Sequence, residues 1–193
     1  MLRKAYNWVI SWSDTPYGVW ALFILAFVES SCFPIPPDVL LIALCVGLPK
    51  AAFQFATICT VGSVLGGIAG YAIGVFAFDT IGQWLLNLYD PHQEVFNQVK
   101  TLYDTWGFWG VLVAAITPIP YKVFTIASGV FKFDFFQFVL ASILGRSFRF
   151  FLVAGLIYWK GATIKVWIDK YFDWLAWGFL AVLILGFALL KFF

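Results

Sequence analysis

Short apolar segments interrupted by proline alternate along this chain with long apolar segments that have no interruption. Residues 17–33 and 39–48 are short apolar arms of 17 and 10 residues, joined by Phe33-Pro34-Ile35-Pro36-Pro37-Asp38. A helix that crosses the hydrocarbon core needs about 20 residues. Two arms of that length around three prolines predict a re-entrant helical hairpin, entering and leaving the membrane on one side. Irregular backbone at such a depth must be buried in protein or line a wet cavity. Residues 51–78 follow as a full-length span. It carries Gly62, Gly66, Gly70 and Gly74 on one helical face, a spacing that lets another helix approach closely. Residues 79–106 are less apolar, with apolar positions at helical spacing, and predict a pair of amphipathic helices split at Asp90-Pro91. The single histidine, His92, falls there and reads as a solvated loop side chain. A second short arm, 107–117, then meets Pro118-Ile119-Pro120-Tyr121-Lys122, and an apolar run continues to Phe133. Residues 135–159 form a second full span. An amphipathic basic stretch at 160–173 and an apolar helix at 174–190 close the pattern, and Tyr6, Trp8 and Trp12 mark 1–16 as an interfacial lead-in.

The pattern is a repeat. Shifted by 84 positions, Pro34-Ile35-Pro36 falls on Pro118-Ile119-Pro120, Val39 on Val123, Ile42-Ala43 on Ile126-Ala127 and Val46 on Val130. With one residue dropped, Phe53-Gln54-Phe55 falls on Phe136-Gln137-Phe138 and Gly62 on Gly145. Each unit is a hairpin plus one span. A hairpin adds no crossing and the span adds one, so the second copy starts from the opposite side and is inverted. Broken helices meeting near the midplane of inverted repeats are a recurring transporter plan. The expected fold is therefore all-α and polytopic: a single membrane domain over 1–193, with repeat 1 at 17–78, an amphipathic linker at 79–106 and repeat 2 at 107–159. The amphipathic stretch and a C-terminal transmembrane helix occupy 160–193.

Composition supports the membrane reading. The chain is 63% hydrophobic and only 11% charged, against about 25% charged for soluble domains. A formal net charge of +2 gives no reason to expect a nucleic-acid partner. Cys32, Cys45 and Cys59 all sit in apolar stretches and imply no disulfide framework, and the N-terminus does not have the form of a cleavable signal peptide. One histidine and the absence of any metal-ligand spacing or nucleophile–base pair predict no metal, no cofactor and no enzyme activity.

Candidate chemistry resides in five ionisable residues inside the apolar segments: Glu29, Asp38, Lys122, Arg146 and Arg149. Each costs about 2.5–3.5 kcal/mol or more at the centre of a lipid-exposed helix, so they must face one another or water. Arg146 and Arg149, at i and i+3, share a helix face. Asp38 and Lys122 hold equivalent places in the two repeats, just after the breaks, and could attract each other across the pseudo-two-fold. Asp38 suits a helix N-cap and its dipole. Lys122 gains nothing from that dipole. A helix N-terminus with a lysine and two arginines instead suits an anion, above all a phosphate. The alternative is a buried ion network that holds the hairpins and binds nothing.

These residues resemble the DedA family, the membrane proteins with a VTT domain, over roughly residues 17–160. The resemblance is carried by Glu29, by F-P-I-P-P-D ending at Asp38, by G-x-x-x-G-Y-x-x-G from Gly66 to Gly74, and by T-P-I-P-Y-K…S-G-V-F from Thr117 to Phe131. G-R-x-x-R-F, from Gly145 to Phe150, is similar to the YqaA-type branch. Where many members carry two arginines around the second hairpin, this chain has Thr117 and Lys122. The resemblance implies facing re-entrant hairpins and lipid movement across bilayers, of undecaprenyl phosphate in bacteria or phospholipids in eukaryotes, in some members driven by protons. It matches Glu29 and Asp38 to the family's essential membrane acids. The expectation is a multi-pass transporter of a bacterial inner membrane that moves a lipid with an anionic phosphate head group. Lys122, Arg146 and Arg149 would bind the phosphate, Glu29 and Asp38 would couple protons, and Pro34, Pro36, Pro37, Pro118 and Pro120 would form the re-entrant tips. A homo-oligomer stays open, as do a proton-coupled exporter of small ions or drugs and a non-transporting scaffold.

Overall fold

A computed structural model describes residues 17–31, 36–82, 94–117 and 119–159. The expected lead-in at 1–16, Pro34, Pro118, Cys32, His92 and everything from 160 onward lie outside the described residues. The described chain is all-helical: α1 Tyr17–Ser31, α2 Asp38–Gly47, α3 Ala52–Ala77, α4 Glu94–Ile116, α5 Tyr121–Val130 and α6 Phe135–Trp159. A 3₁₀ turn, Pro49–Ala51, leads into α3, and a π-helical turn, Phe78–Gly82, continues it. Two stretches, Pro49–Thr80 and Phe135–Trp159, are long and apolar enough to cross a membrane, at 32 and 25 residues.

Element boundaries follow local chemistry. α2 and α5 are both 10 residues long and both start directly behind proline, at Pro37 and Pro120. Proline has a helix-ready φ and no N–H to leave unpaired, so it suits a helix start. α5 ends in a Schellman motif: Phe133 N–H donates to the Ser128 carbonyl (2.9 Å) and Lys132 N–H to that of Gly129 (3.1 Å). Lys132 takes the left-handed position, φ 52°, where glycine is usual. α6 then starts with a side-chain cap, the Gln137 N–H donating to Asp134 Oδ1 at 2.8 Å. One expected boundary is absent: α4 runs unbroken through 106/107. Its inward face, Tyr103, Gly107, Val111 and Ala115, continues at i+4 spacing across that point, and a side chain at Gly107 would meet the Phe133 ring at 2.8 Å.

The glycine stripe of α3 is shared between two neighbours. A Cβ at Gly62 would lie 2.7 Å from the Phe23 carbonyl oxygen, and one at Gly66 would overlap the Phe27 backbone, so α1 packs there. Gly70 and Gly74 instead receive Thr125 and the Ile126 backbone of α5, and Gly129 of α5 receives Tyr71 of α3 in return. α1 therefore runs beside the first half of α3, and α5 beside the second half. α2 returns to the start of α3, where the Cys45 thiol reaches the Ala52 carbonyl at 3.8 Å. The ends of α3 and α5 coincide: Lys132 Nζ lies 3.3 Å from Asp79 Oδ1, and Phe96 of α4 stacks on Phe78 at 5.2 Å. α6 is antiparallel to α3. Its final turn puts Tyr158 5.2 Å from Phe53, and its first turn puts Phe138 5.2 Å from Tyr71.

Two apolar cores result. One gathers Leu22, Leu41, Leu44, Phe55 and Phe150 around α1 and α2. The other gathers Val111, Tyr121, Phe133 and Phe138 around α4 and α5. Large apolar side chains of α6, among them Phe136, Phe148 and Leu152, point away from both. In water such a surface would be a liability. Its chemistry suits contact with acyl tails.

Candidate functional site

Four of the five charged residues, Glu29, Asp38, Arg146 and Arg149, meet where the two cores abut, near the middle of the described part of α6. Arg146 is eleven residues after Phe135 and Arg149 ten before Trp159, so each lies about 15–17 Å from an end. α6 holds the basic half of the site, and the first helix–break–helix unit holds the acidic half.

Arg149 joins the two breaks. Its Nε donates to Asp38 Oδ1 at 3.0 Å and its Nη2 to Asp38 Oδ2 at 2.8 Å. This is the bidentate fork that arginine offers a carboxylate or a phosphate. Its Nη1 donates to the Thr117 carbonyl at 2.7 Å, satisfying an acceptor left over at the end of α4. One guanidinium thus clips the first residue of α2 to the chain just after α4. Asp38 is not the N-cap of its helix: Pro37 holds that position, no side chain caps it, and the Asp38 carboxylate is turned to Arg149.

Arg146 is the more deeply buried of the two arginines. Its Nη2 donates to Glu29 Oε2 at 3.2 Å, its guanidinium carbon lies 4.1 Å from the Tyr121 ring centroid, and the residue is 2% exposed. Phe150 stands 5.7 Å away. The Arg146 Nε is buried with no hydrogen-bond partner among the described residues. An unsatisfied buried donor costs about 1–3 kcal/mol. Glu29 also accepts from Ser30 Oγ at 3.1 Å, and Ser30 shares a 2.7 Å hydroxyl contact with Ser63 of α3.

Lys122 is half-buried and makes no ion pair among the described residues. The attraction expected between Asp38 and Lys122 forms no ion pair, and Asp38 is held by Arg149 instead. A planar fork satisfies two carboxylate oxygens at once, whereas an ammonium is a point charge. The four paired residues sum to zero and Lys122 adds a formal +1. Of the tip prolines, Pro37 is buried, Pro36 is exposed and Pro120 holds the N-cap position of α5.

The repeat explains the asymmetry. At the 83-residue offset that relates α3 to α6, Arg146 corresponds to Ser63 and Arg149 to Gly66. Small residues on α3 let α1 close in, and arginines at the matching places on α6 reach back to the acids. Sequence reasoning missed three contributors. Tyr121 was visible as an aromatic inside the second break, and Ser30 as the polar neighbour of Glu29. The Thr117 carbonyl carries no sequence signal, since any residue has one. No group of three metal-ligating side chains forms among the described residues. What the arrangement can do is exchange one anion for another on an arginine fork.

Comparison with known proteins places the site residues from Asp38 to Arg149, but not Glu29 and Ser30, inside one family domain. The VTT domain matches residues 33–159. An uncharacterized protein of Haemophilus influenzae is 36% identical over 96% of each chain. Another from Histophilus somni is 34% identical over 96% of each, and one from Methanocaldococcus jannaschii is 29% identical over 69% of this chain and 79% of its own. No solved structure matches.

Proposed function

Because the chain belongs to the DedA family of VTT-domain, membrane-associated proteins, we propose that it translocates a phosphate-bearing lipid, of undecaprenyl phosphate or phospholipid type, across a bacterial inner membrane. In this reading α3 and α6 span the bilayer, and the two helix–break–helix units are re-entrant hairpins entering from opposite faces as an inverted repeat. The start of α4 at the far end of α3 from the start of α1, and the return of α2 and α5 to opposite ends, support it.

The observation that carries the proposal is the bidentate Asp38–Arg149 pair, whose guanidinium also holds the Thr117 carbonyl beside the second break. A phosphate monoester offers the same paired oxygens as the carboxylate it would replace. A proton on Asp38 removes the charge that holds the fork, and the phosphate then takes Arg149. Lys122 supplies the further positive charge, and Arg146 the third cation. Glu29, held between Arg146 and Ser30, is the second acid available for a proton. Departure of the phosphate restores the carboxylate pair and releases the proton. Proton uptake and phosphate uptake are thereby linked, and each must favour the other by the same factor. No covalent bond of the lipid is broken, so the reading is a carrier, needing neither cofactor nor metal.

Reconstituted vesicles test this. A fluorescent phosphatidic acid placed in the outer leaflet should reach the inner leaflet faster with the protein than without, and faster still under a proton gradient. Asp38→Asn and Arg149→Lys should return the rate to the protein-free value, and Glu29→Gln should abolish the response to the gradient. Wild-type vesicles that perform no better than empty ones would sink the proposal.

A further inference from the structure

We infer that Tyr121 is a positioning residue of this phosphate site: its ring holds Arg146 so that the vacant Nε–H of that arginine is kept for a phosphate oxygen. The inference rests on the phosphate-site reading above and adds to it a residue and a donor atom. Arg146 could in principle use its Nε and one Nη together on Glu29, as Arg149 does on Asp38. It does not. Only Nη2 reaches Glu29, at 3.2 Å, and Nε stays buried with no partner among the described residues. The Tyr121 ring lies under the guanidinium at 4.1 Å, and Tyr121 is itself 1% exposed, so neither side chain has room to rotate. Gly67 of α3 keeps it in place from the other side, where a Cβ would come within 2.7 Å of the Tyr121 hydroxyl. A cation over an aromatic face is stabilised without any N–H being consumed, because the attraction acts through the face. The ring therefore fixes the arginine while leaving a donor free. Tyr121 is also the first residue of α5, directly before Lys122, so the platform and the Lys122 cation move as one piece of helix.

The test measures binding of dioctanoyl phosphatidic acid to the purified full chain in detergent, with dioctanoylglycerol as the neutral control. Tyr121→Leu removes the ring and should weaken phosphatidic acid binding about tenfold. Tyr121→Phe keeps the ring and should restore most of that affinity. In an Arg146→Lys background, which lacks the Nε–H, Tyr121→Leu should cause no further loss. A merely structural tyrosine would lower the melting temperature but leave affinity unchanged, or weaken binding equally in both backgrounds, and either result overturns the inference alone. Absence of phosphatidic acid binding by wild type would instead overturn the phosphate site itself. A second measurement needs no Tyr121 variant. The Nε–H resonance of Arg146 in a ¹⁵N spectrum, identified by its loss in Arg146→Lys, should move on adding phosphatidic acid and not diacylglycerol. An Nε–H that stays put while binding saturates counts against the inference. Inorganic phosphate forms a third arm: an equal response assigns the site to free phosphate, and a response confined to the lipid assigns it to a head group.

Discussion

A carboxylate and a guanidinium that are each about one-fifth exposed depend on one another more than a surface pair does. Asp38 and Arg149 are 20% and 18% exposed at the side chain, and their oxygens and nitrogens are 2.8–3.0 Å apart. Removing one partner strands a largely buried charge. Asp38→Ala or Arg149→Ala should each lower the stability of the ligand-free protein by about 3–5 kcal/mol. The double variant should recover much of that loss, as coupled residues do in a mutant cycle. Chemical unfolding of the four proteins in detergent measures it. Additive losses would mean that the two side chains do not support each other. Five charges in apolar segments could be read directly, because such residues are rare there and conspicuous. Their pairing could not. Asp38 and Arg149 are 111 residues apart, and repeat equivalence pointed to Lys122 as the partner.

Helix α3 owes its neighbours to what its glycines lack. At Gly66 and Gly129 an added methyl would meet backbone atoms of an opposing helix, which cannot turn aside as a side-chain tip can. Gly66→Ala or Gly129→Ala should therefore cost about 1–3 kcal/mol or more, through forced separation of the helices. Gly155 on α6 has nothing within 4 Å of an added Cβ among the described residues. There Gly155→Ala should stabilise the protein by up to about 1 kcal/mol through helix propensity alone. Thermal unfolding of the three variants checks both signs at once. The start of α6 offers a second check: Asp134→Ala loses the 2.8 Å cap to Gln137 and should cost about 1 kcal/mol. At the end of α5, Lys132→Gly should relieve the left-handed backbone position by about 1 kcal/mol. Its exposed ion pair with Asp79 offsets little of that gain.

Across the whole molecule, the two broken units face each other from opposite ends of α3, with the arginines of α6 between them. That arrangement sets a labelling pattern for the proposed topology. In a cysteine-free background, cysteines at Tyr17 and Lys50 should react with a membrane-impermeant thiol reagent from one face. Cysteines at Thr80 and Lys132 should react only from the other. All four positions are exposed. Reaction of the Tyr17 and Lys50 sites from opposite faces would make the first unit a full crossing and end the re-entrant reading.

Local signals are strong in this chain, and they determined much of it. Apolar run length predicted α3 and α6, the latter from its observed start at 135. Proline clusters predicted the breaks, and the 84-residue offset predicted that α2 and α5 would match. Each of these properties depends on a few neighbouring residues: hydrogen bonding within one helix, the missing N–H of proline, the cost of a charge in hydrocarbon. The tertiary structure alone decided the rest. It divided the glycine stripe between α1 and α5, gave Asp38 to Arg149 and not to Lys122, and laid Arg146 on Tyr121 with its Nε unpaired. Those outcomes depend on the angle and depth at which distant helices meet. Charge attraction has the same sign for any acid–base combination, and only the positions of the backbones determine which guanidinium can present its fork to which carboxylate.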